Sequence, residues 1–125
     1  MSLQPLSRVY LGRNRPDGTI VSMAEFEDFV RESVAPLSPS GFTLFPAIGG
    51  WRKQDGTVET ESTMVLELIG ALGATVLGIA KAYRERFGQE AVLASMAAVD
   101  SVLVTADMDN RQEIRFAQSV PRVGC

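Results

Sequence analysis

The polar side chains most able to bind or transform a small molecule cluster around the end of one amphipathic segment. Gln89 and Glu90 directly follow that segment, where an incoming ligand would meet an amide and a carboxylate. Tyr10, Arg52 and Tyr83 could add hydrogen-bond donors. Together these groups suit a small polar or anionic molecule. In the alternative interpretation, Gln89 and Glu90 cap the local backbone. Tyr83 then lies in the core, and Arg52 is an exposed hairpin residue.

Trp51 is the aromatic candidate for the same site. It follows the pair Gly49-Gly50, and glycines allow a ligand to come close to the backbone. A tryptophan in such a position more often packs across a hairpin, and the sequence alone favours that second interpretation.

Catalysis by these groups would need Glu90 in apolar surroundings, because burial raises the pKa of a carboxyl group toward neutrality. The sequence has no histidine, and Cys125 is its one cysteine, so a Ser-His or Cys-His pair and the commonest zinc ligand are absent. We therefore expect no cofactor and no metal. The favoured function is a non-catalytic oligomeric domain that binds a small molecule or a protein partner. The alternative is a cofactor-free enzyme that uses Arg52, Tyr83 and Glu90.

Two further patterns are too incomplete to predict a site. Three glycines enter the second predicted helix without the spacing of a dinucleotide-binding loop: Gly70, Gly73 and Gly78. An acidic group near the end lacks the central glycine and the distant glutamate of a calcium loop, and we interpret it as an exposed turn: Asp107, Asp109, Asn110 and Glu113.

The overall composition is that of an ordinary globular protein. The 125 residues are 46% hydrophobic and 22% charged, with a net charge of −3. This charge offers no basic excess for phosphates, and only Arg13 and Arg15 lie close together, so we expect no nucleic-acid partner. The sequence has no run of about eighteen apolar residues, so it predicts no membrane span. The first residues lack the features of a signal peptide, which makes the cytoplasm the default location.

The first half of the sequence predicts a strand and a helix. A β-prone segment at about 7–13 precedes the turn Pro16-Asp17-Gly18. A helix over 23–34 follows, because Ser22 and Glu25 have the spacing of a capping box. Its apolar residues form one stripe, and Pro36 ends it: Phe26, Phe29, Val30 and Val34.

A β-hairpin is predicted next, with strands at 42–48 and 63–69 and the turn Asp55-Gly56 between them. A two-residue turn places Trp51 opposite Thr60 and Phe45 opposite Leu66, unless a bulge at Gly49-Gly50 shifts this register by one. Pro46 cannot donate a backbone hydrogen bond, so its strand should lie at a sheet edge.

The second half predicts a helix over 73–87 that ends at Gly88. Its apolar stripe comprises Leu72, Val76, Ile79, Ala80, Tyr83 and Phe87. Residues 90–96 could be helix or strand, residues 101–105 favour a strand, and residues 112–117 could return as a short antiparallel strand.

The predicted order β-α-β-β-α-β indicates an α+β fold, a ferredoxin-like sandwich with two helices on one face of an antiparallel sheet. We expect a single domain over 1–125, with a core at about 8–106 and a C-terminal extension at 107–125 that could add one strand. In this topology the second strand is an edge, in agreement with Pro46.

Both faces of the predicted hairpin are apolar. In the first strand, one face carries Phe42, Leu44 and Ile48 and the other carries Phe45 and Ala47. In the second strand, one face carries Val65 and Ile69 and the other carries Met64, Leu66 and Leu68. A sheet face exposed to water is normally polar. We therefore expect a homodimer, or a higher even oligomer, that packs through the open sheet face.

Several blocks of the sequence resemble an uncharacterised bacterial family of small proteins, a domain of unknown function. The blocks are Tyr10-Leu11-Gly12, Arg15-Pro16-Asp17-Gly18, Trp51-Arg52 followed by Asp55-Gly56, and residues 83–93. The resemblance spans about 8–106 and implies the same α+β fold without an activity. Members often have an acidic residue where this chain has Arg8, and a polar residue where it has Gly50.

Overall fold

The computed structural model describes residues 3–107, which form a four-stranded antiparallel sheet and two α-helices. The elements in chain order are β1 (Leu3–Gly12), α1 (Met23–Phe29), β2 (Thr43–Arg52), β3 (Val58–Ile69), α2 (Gly73–Phe87) and β4 (Leu93–Asp100). A five-residue π-helical segment, Val30–Val34, and a short 3₁₀ turn, Ala35–Leu37, continue α1. The structure is therefore α+β, as the sequence predicts.

The strands lie in the order β2-β3-β1-β4, and all neighbouring pairs are antiparallel. Each helix-containing connection skips one strand, because β3 lies between β1 and β2, and β1 lies between β3 and β4. The strand that contains Pro46 is consequently at an edge. This confirms the prediction from the missing backbone donor of proline.

The predicted helix over 23–34 is confirmed, with a π-helical last part. The N–H of Glu25 donates to Oγ of Ser22 at 3.1 Å, and the N–H of Ser22 donates to Oε1 of Glu25 at 3.2 Å. This backbone hydrogen bond from Ser22 is the main reason that the pKa of Glu25 lies below its ordinary value. The hydrogen bonds that define the start of the helix therefore lie within residues 22–25 and do not involve the sheet.

Replacing Ser22 with alanine should lower the free energy of unfolding by about 1 kcal/mol, because the first helical turn loses its side-chain acceptor. The measurement is a urea unfolding curve, with Ser40→Ala at an exposed loop position as the control. Equal midpoints for Ser22→Ala and the wild type would show that the capping box does not stabilise the folded state.

The hairpin register differs by one residue from the predicted two-residue turn. The loop spans residues 53–57, where Lys53 donates to the carbonyl of Thr57 at 2.8 Å and Gly56 donates to the carbonyl of Lys53 at 3.0 Å. Gly56 has a φ of +89°, a left-handed conformation typical of such longer hairpin loops. Trp51 therefore pairs with Glu59 and Phe45 with Val65, so the predicted partners Thr60 and Leu66 were wrong. The shift arises in the loop, since pairing continues without interruption through Gly49 and Gly50.

This shift decides which side chains face the helices. Leu44 pairs with Leu66 on the helix side, whereas Phe45 pairs with Val65 on the opposite side, because neighbouring residues in a strand point to opposite faces. We call that opposite side the open face, which includes Leu6, Arg8, Tyr10, Phe45, Ala47, Val65, Glu67, Ile69 and Leu93.

The hydrophobic core lies between the sheet and both helices. The α2 stripe is buried at Val76, Ile79, Ala80, Tyr83 and Phe87, as predicted, but Leu72 at the helix start is exposed. Gly88 ends α2 with a φ of +64°, which confirms the predicted helix end.

The last described strand is β4, Leu93–Asp100, which resolves the ambiguity at 90–96 in favour of a strand. The strand predicted at 101–105 was wrong, since these residues have no regular structure. The ladder between β1 and β4 already ends with Leu3 opposite Asp100, where β1 begins. The predicted strand at 112–117 lies outside the described residues, as do Asp109, Asn110 and Glu113.

Within residues 3–107, no helix is long and apolar enough to cross a membrane.

Candidate functional site

A cavity of about 650 Å³ lies beside the C-terminal end of β1, where four separate parts of the chain meet. It is lined by the loop after β1, by both strands of the hairpin and by the turn between α2 and β4. The lining side chains that carry polar or aromatic groups are Asn14, Arg15, Trp51, Glu59, Glu61, Gln89 and Glu90. Its volume is in the range of ordinary small-molecule sites.

The loop after β1 forms one wall of the cavity and is held by its own hydrogen bonds. The backbone N–H of Arg15 donates to the carbonyl of Thr19 at 2.8 Å. The backbone N–H of Gly18, which has a φ of +89°, donates to the carbonyl of Arg15 at 3.0 Å. Asp17 accepts hydrogen bonds from the hydroxyl group and then the backbone N–H of Thr19, and these lower the pKa of Asp17 below its ordinary value. The wall is thus a structured turn.

The charge of Arg15 is used within this wall. Its guanidinium group forms an ion pair with Glu25 and donates to the hydroxyl of Thr19 at 3.2 Å and the carbonyl of Ile20 at 3.4 Å. The group also lies over the ring of Phe87, 5.7 Å from its centroid. A ligand in the cavity would therefore meet an arginine that already has its partners.

Glu61 lies at the base of the cavity on β3. Its Oε2 accepts the backbone N–H of Asn14 at 2.9 Å. The carboxylate lies directly against Gly12, where an added Cβ atom would be only 2.7 Å from Oε1. Glycine at position 12 therefore allows this position of the Glu61 side chain.

Two side chains from α2 and the turn after it hold the backbone that contacts Glu61. The hydroxyl of Tyr83 donates to the carbonyl of Gly12 at 2.8 Å, and Nε2 of Gln89 donates to the carbonyl of Asn14 at 2.9 Å. Burial raises the pKa of Tyr83 well above its ordinary value. Tyr83 consequently remains protonated and positions the backbone beneath Glu61.

The hairpin contributes the aromatic wall. Trp51 is 45% exposed, so a ligand can reach its ring, and it pairs with Glu59 on β3. The carboxylate of Glu59 forms an ion pair with Nζ of Lys53 at 2.9 Å. Glu59 is thus partly neutralised by its own hairpin, while no lysine or arginine of residues 3–107 forms an ion pair with Glu61.

The structure brings three of the six residues predicted for the site together, namely Trp51, Gln89 and Glu90. Tyr10 is half-buried on the open face, where it pairs with Val65 and Leu93. Arg52 is exposed beside the hairpin loop, and Tyr83 is fully buried beneath the cavity.

Glu90 does not have the surroundings that catalysis would require. It is exposed at the cavity rim, and its backbone carbonyl accepts a hydrogen bond from Arg84 at 3.2 Å. The apolar surroundings that catalysis by Glu90 would need are therefore not present at this position. Among the residues described, moreover, no cluster of three or more acidic or cysteine side chains could hold a metal ion.

Asn14, Arg15, Glu59 and Glu61 line the cavity but were not among the predicted site residues. The available signal was the spacing of Glu59 and Glu61, which places both on the open-face side of one strand. The sequence did not show that the loop after β1 folds over that end of the strand.

A model of a protein family of unknown function, DUF3574, matches residues 7–102, and the chain belongs to this family. This confirms the family resemblance. Three of the four sequence blocks that carry it contribute lining residues to the cavity, through Arg15, Trp51 and Gln89. No curated protein matches the sequence.

Two solved structures of phage proteins have a similar fold. A phage SAM lyase in complex with S-methyl-5′-thioadenosine is 16% identical, with a TM-score of 0.58, covering 78% of this chain and 90% of that chain. A phage SAM lyase in the apo state is 20% identical, with a TM-score of 0.55, covering 86% and 94%. At these identities the likeness concerns the fold alone.

Proposed function

We propose that this member of the DUF3574 family is a non-catalytic, oligomeric domain that binds a small polar molecule in the cavity beside Trp51. The observation that carries the proposal is the cavity of about 650 Å³ in which three parts of the chain place polar groups around an accessible aromatic ring from a fourth. Small-molecule sites combine such an apolar surface with a few positioned polar groups.

The state of the polar groups supports binding without catalysis. Tyr83 is buried and its hydroxyl group donates a hydrogen bond to the carbonyl of Gly12, so it is poorly placed to exchange a proton with a ligand. Glu90 is exposed at the edge of the cavity and is not enclosed by apolar side chains. The cavity groups therefore suit recognition better than proton transfer.

The fold that we propose for this domain is ferredoxin-like. The element order β-α-β-β-α-β and the strand order β2-β3-β1-β4 support this arrangement, as do the two connections that each skip one strand. We further propose that residues 1–125 constitute a single domain.

The proposed oligomer packs through the open face. Phe45 is 37% exposed, Ile69 42% and Leu93 67% on this side, and the charged side chains that residues 3–107 place between them, Arg8 and Glu67, form an ion pair at 3.0 Å. This apolar part of the open face, whose two charges are paired with each other, suits a second copy of the chain better than it suits water.

Replacing Phe45 with glutamate should convert the oligomer to monomer, because it places a charge within the apolar contact. Ile48→Glu is the matched control, since Ile48 lies on the same strand with its side chain toward the other face and is 84% exposed. Sedimentation velocity at tens of micromolar measures both. A wild-type protein that sediments as a monomer contradicts the proposal.

Native mass spectrometry of the purified protein tests the binding function. We expect the wild type to retain a small molecule and Ala91→Phe, which fills the cavity, to lose it. Ala98→Phe, at an exposed position on β4 outside the cavity lining, should retain it. Equal retention by Ala91→Phe and Ala98→Phe would place any bound molecule elsewhere.

The second candidate is a cofactor-free enzyme that acts on a small polar or anionic substrate. The observation in its favour is the similar fold of the two phage SAM lyases, one of which holds S-methyl-5′-thioadenosine. Incubation with SAM, followed by mass-spectrometric detection of S-methyl-5′-thioadenosine, tests one such activity. Product formation that Glu61→Gln abolishes would favour the enzyme over the binding domain.

A further inference from the structure

We propose that the cavity takes a cation that carries a planar group, with the positive charge held at Glu61 and the planar group against Trp51. This inference rests on the proposed binding function and specifies its ligand class. It also departs from the anionic ligand that the sequence suggested.

The charges around the cavity favour a cation. Three carboxylates, those of Glu59, Glu61 and Glu90, face one guanidinium group among the lining residues. Arg15 is already paired with Glu25, and Glu59 with Lys53. The charge of Glu61 therefore remains for a ligand, whereas an anion would meet these carboxylates with no unpaired arginine among the described residues of the lining.

Glu61 is held in place before any ligand arrives. The N–H of Asn14 fixes Oε2, the backbone of Gly12 lies beneath the carboxylate, and the Tyr83 hydroxyl anchors that backbone. A carboxylate fixed in this way does not have to lose side-chain freedom when it binds a cation. Charge-assisted contacts to such a group are stronger than neutral ones.

Trp51 strengthens the preference for the same class. Its accessible ring can stack on a planar group, and the face of an indole ring attracts positive charge more strongly than other aromatic rings do. A planar cation can stack on Trp51 and pair with the charge of Glu61 at the same time. A planar anion would lose the charge pairing, and a non-planar cation would lose the stacking.

Three probes with the same ring and different charges test the inference: 1-methylnicotinamide (a cation), nicotinamide (neutral) and nicotinate (an anion). Trp51 is the only tryptophan, so saturable quenching of protein fluorescence reports binding at the cavity. We expect the cation to bind at least about tenfold more tightly than the anion, with the neutral probe between them. Nicotinate binding as tightly as the cation overturns the inference.

Variants assign the preference to Glu61. Glu61→Gln should remove the difference between cation and anion, and Gly12→Ala should reduce it, because the new methyl group displaces the carboxylate. Glu85→Gln is the control, since it removes an exposed carboxylate of α2 that does not line the cavity. A preference that persists in Glu61→Gln overturns the inference.

The outcomes separate this inference from the proposed function. A retained neutral or anionic molecule in native mass spectrometry, lost in Ala91→Phe, overturns the cation preference and leaves the binding function intact. Failure of all three probes to saturate, together with an empty cavity in native mass spectrometry, overturns both.

Discussion

Replacing Tyr83 with alanine is expected to lower the free energy of unfolding by about 3–5 kcal/mol, the largest effect of any substitution proposed for this protein. The side chain is fully buried and its ring packs against those of Phe26, Phe29 and Phe87 at centroid distances of 6.3, 5.1 and 4.8 Å. Removing it leaves a cavity at the point where both helices meet. Chemical denaturation of the purified variant measures the change.

Tyr83→Phe separates the hydroxyl from the ring. It keeps the aromatic packing but leaves the carbonyl of Gly12 without the hydrogen bond at 2.8 Å, so we expect a smaller loss of about 1–2 kcal/mol. A loss below about 1 kcal/mol for Tyr83→Ala would contradict the assignment of Tyr83 to the centre of the core.

Replacing Trp51 with alanine should weaken binding of 1-methylnicotinamide by about tenfold or more, because the ligand loses the one aromatic ring that residues 3–107 contribute to the cavity lining. Trp51 is 45% exposed at the far end of the hairpin, so the stability of the fold should change little. Isothermal titration calorimetry measures the affinity, since the variant has no tryptophan fluorescence.

Trp51→Phe is the matched control and should retain much of the affinity through its smaller ring. If Trp51→Ala binds the probe as tightly as the wild type does, the tryptophan only packs across the hairpin. That was the interpretation the sequence alone favoured, and this measurement distinguishes it from the binding site proposed above.

The helices illustrate how much of the fold the sequence predicts. Ser22 and Glu25 form two hydrogen bonds with each other across one turn, so the start of α1 depends on four consecutive residues. In α2, the apolar period and Gly88 locate both the buried face and the helix end. These features are local, and local interactions can be inferred without knowing what the helix packs against.

The sheet illustrates where sequence-based prediction reaches its limit. Pro46 identified an edge strand, since a missing N–H is a property of one residue. The sequence leaves 90–96 open between helix and strand and does not predict the second half of β4, because half of residues 93–100 are alanine or serine and they acquire a strand conformation by pairing with β1. Strand identity here depends on the neighbouring strand more than on intrinsic preference.

The sequence by itself therefore determined the two helices, the edge position of β2, the apolar character of both hairpin faces and three of the cavity residues. Only the tertiary structure decided the hairpin register, and it alone joined Glu61 to Gly12 and Asn14. The physical reason is sequence distance. Glu61 meets Asn14 across 47 residues, and a one-residue difference in a single loop decides which side chains share a face.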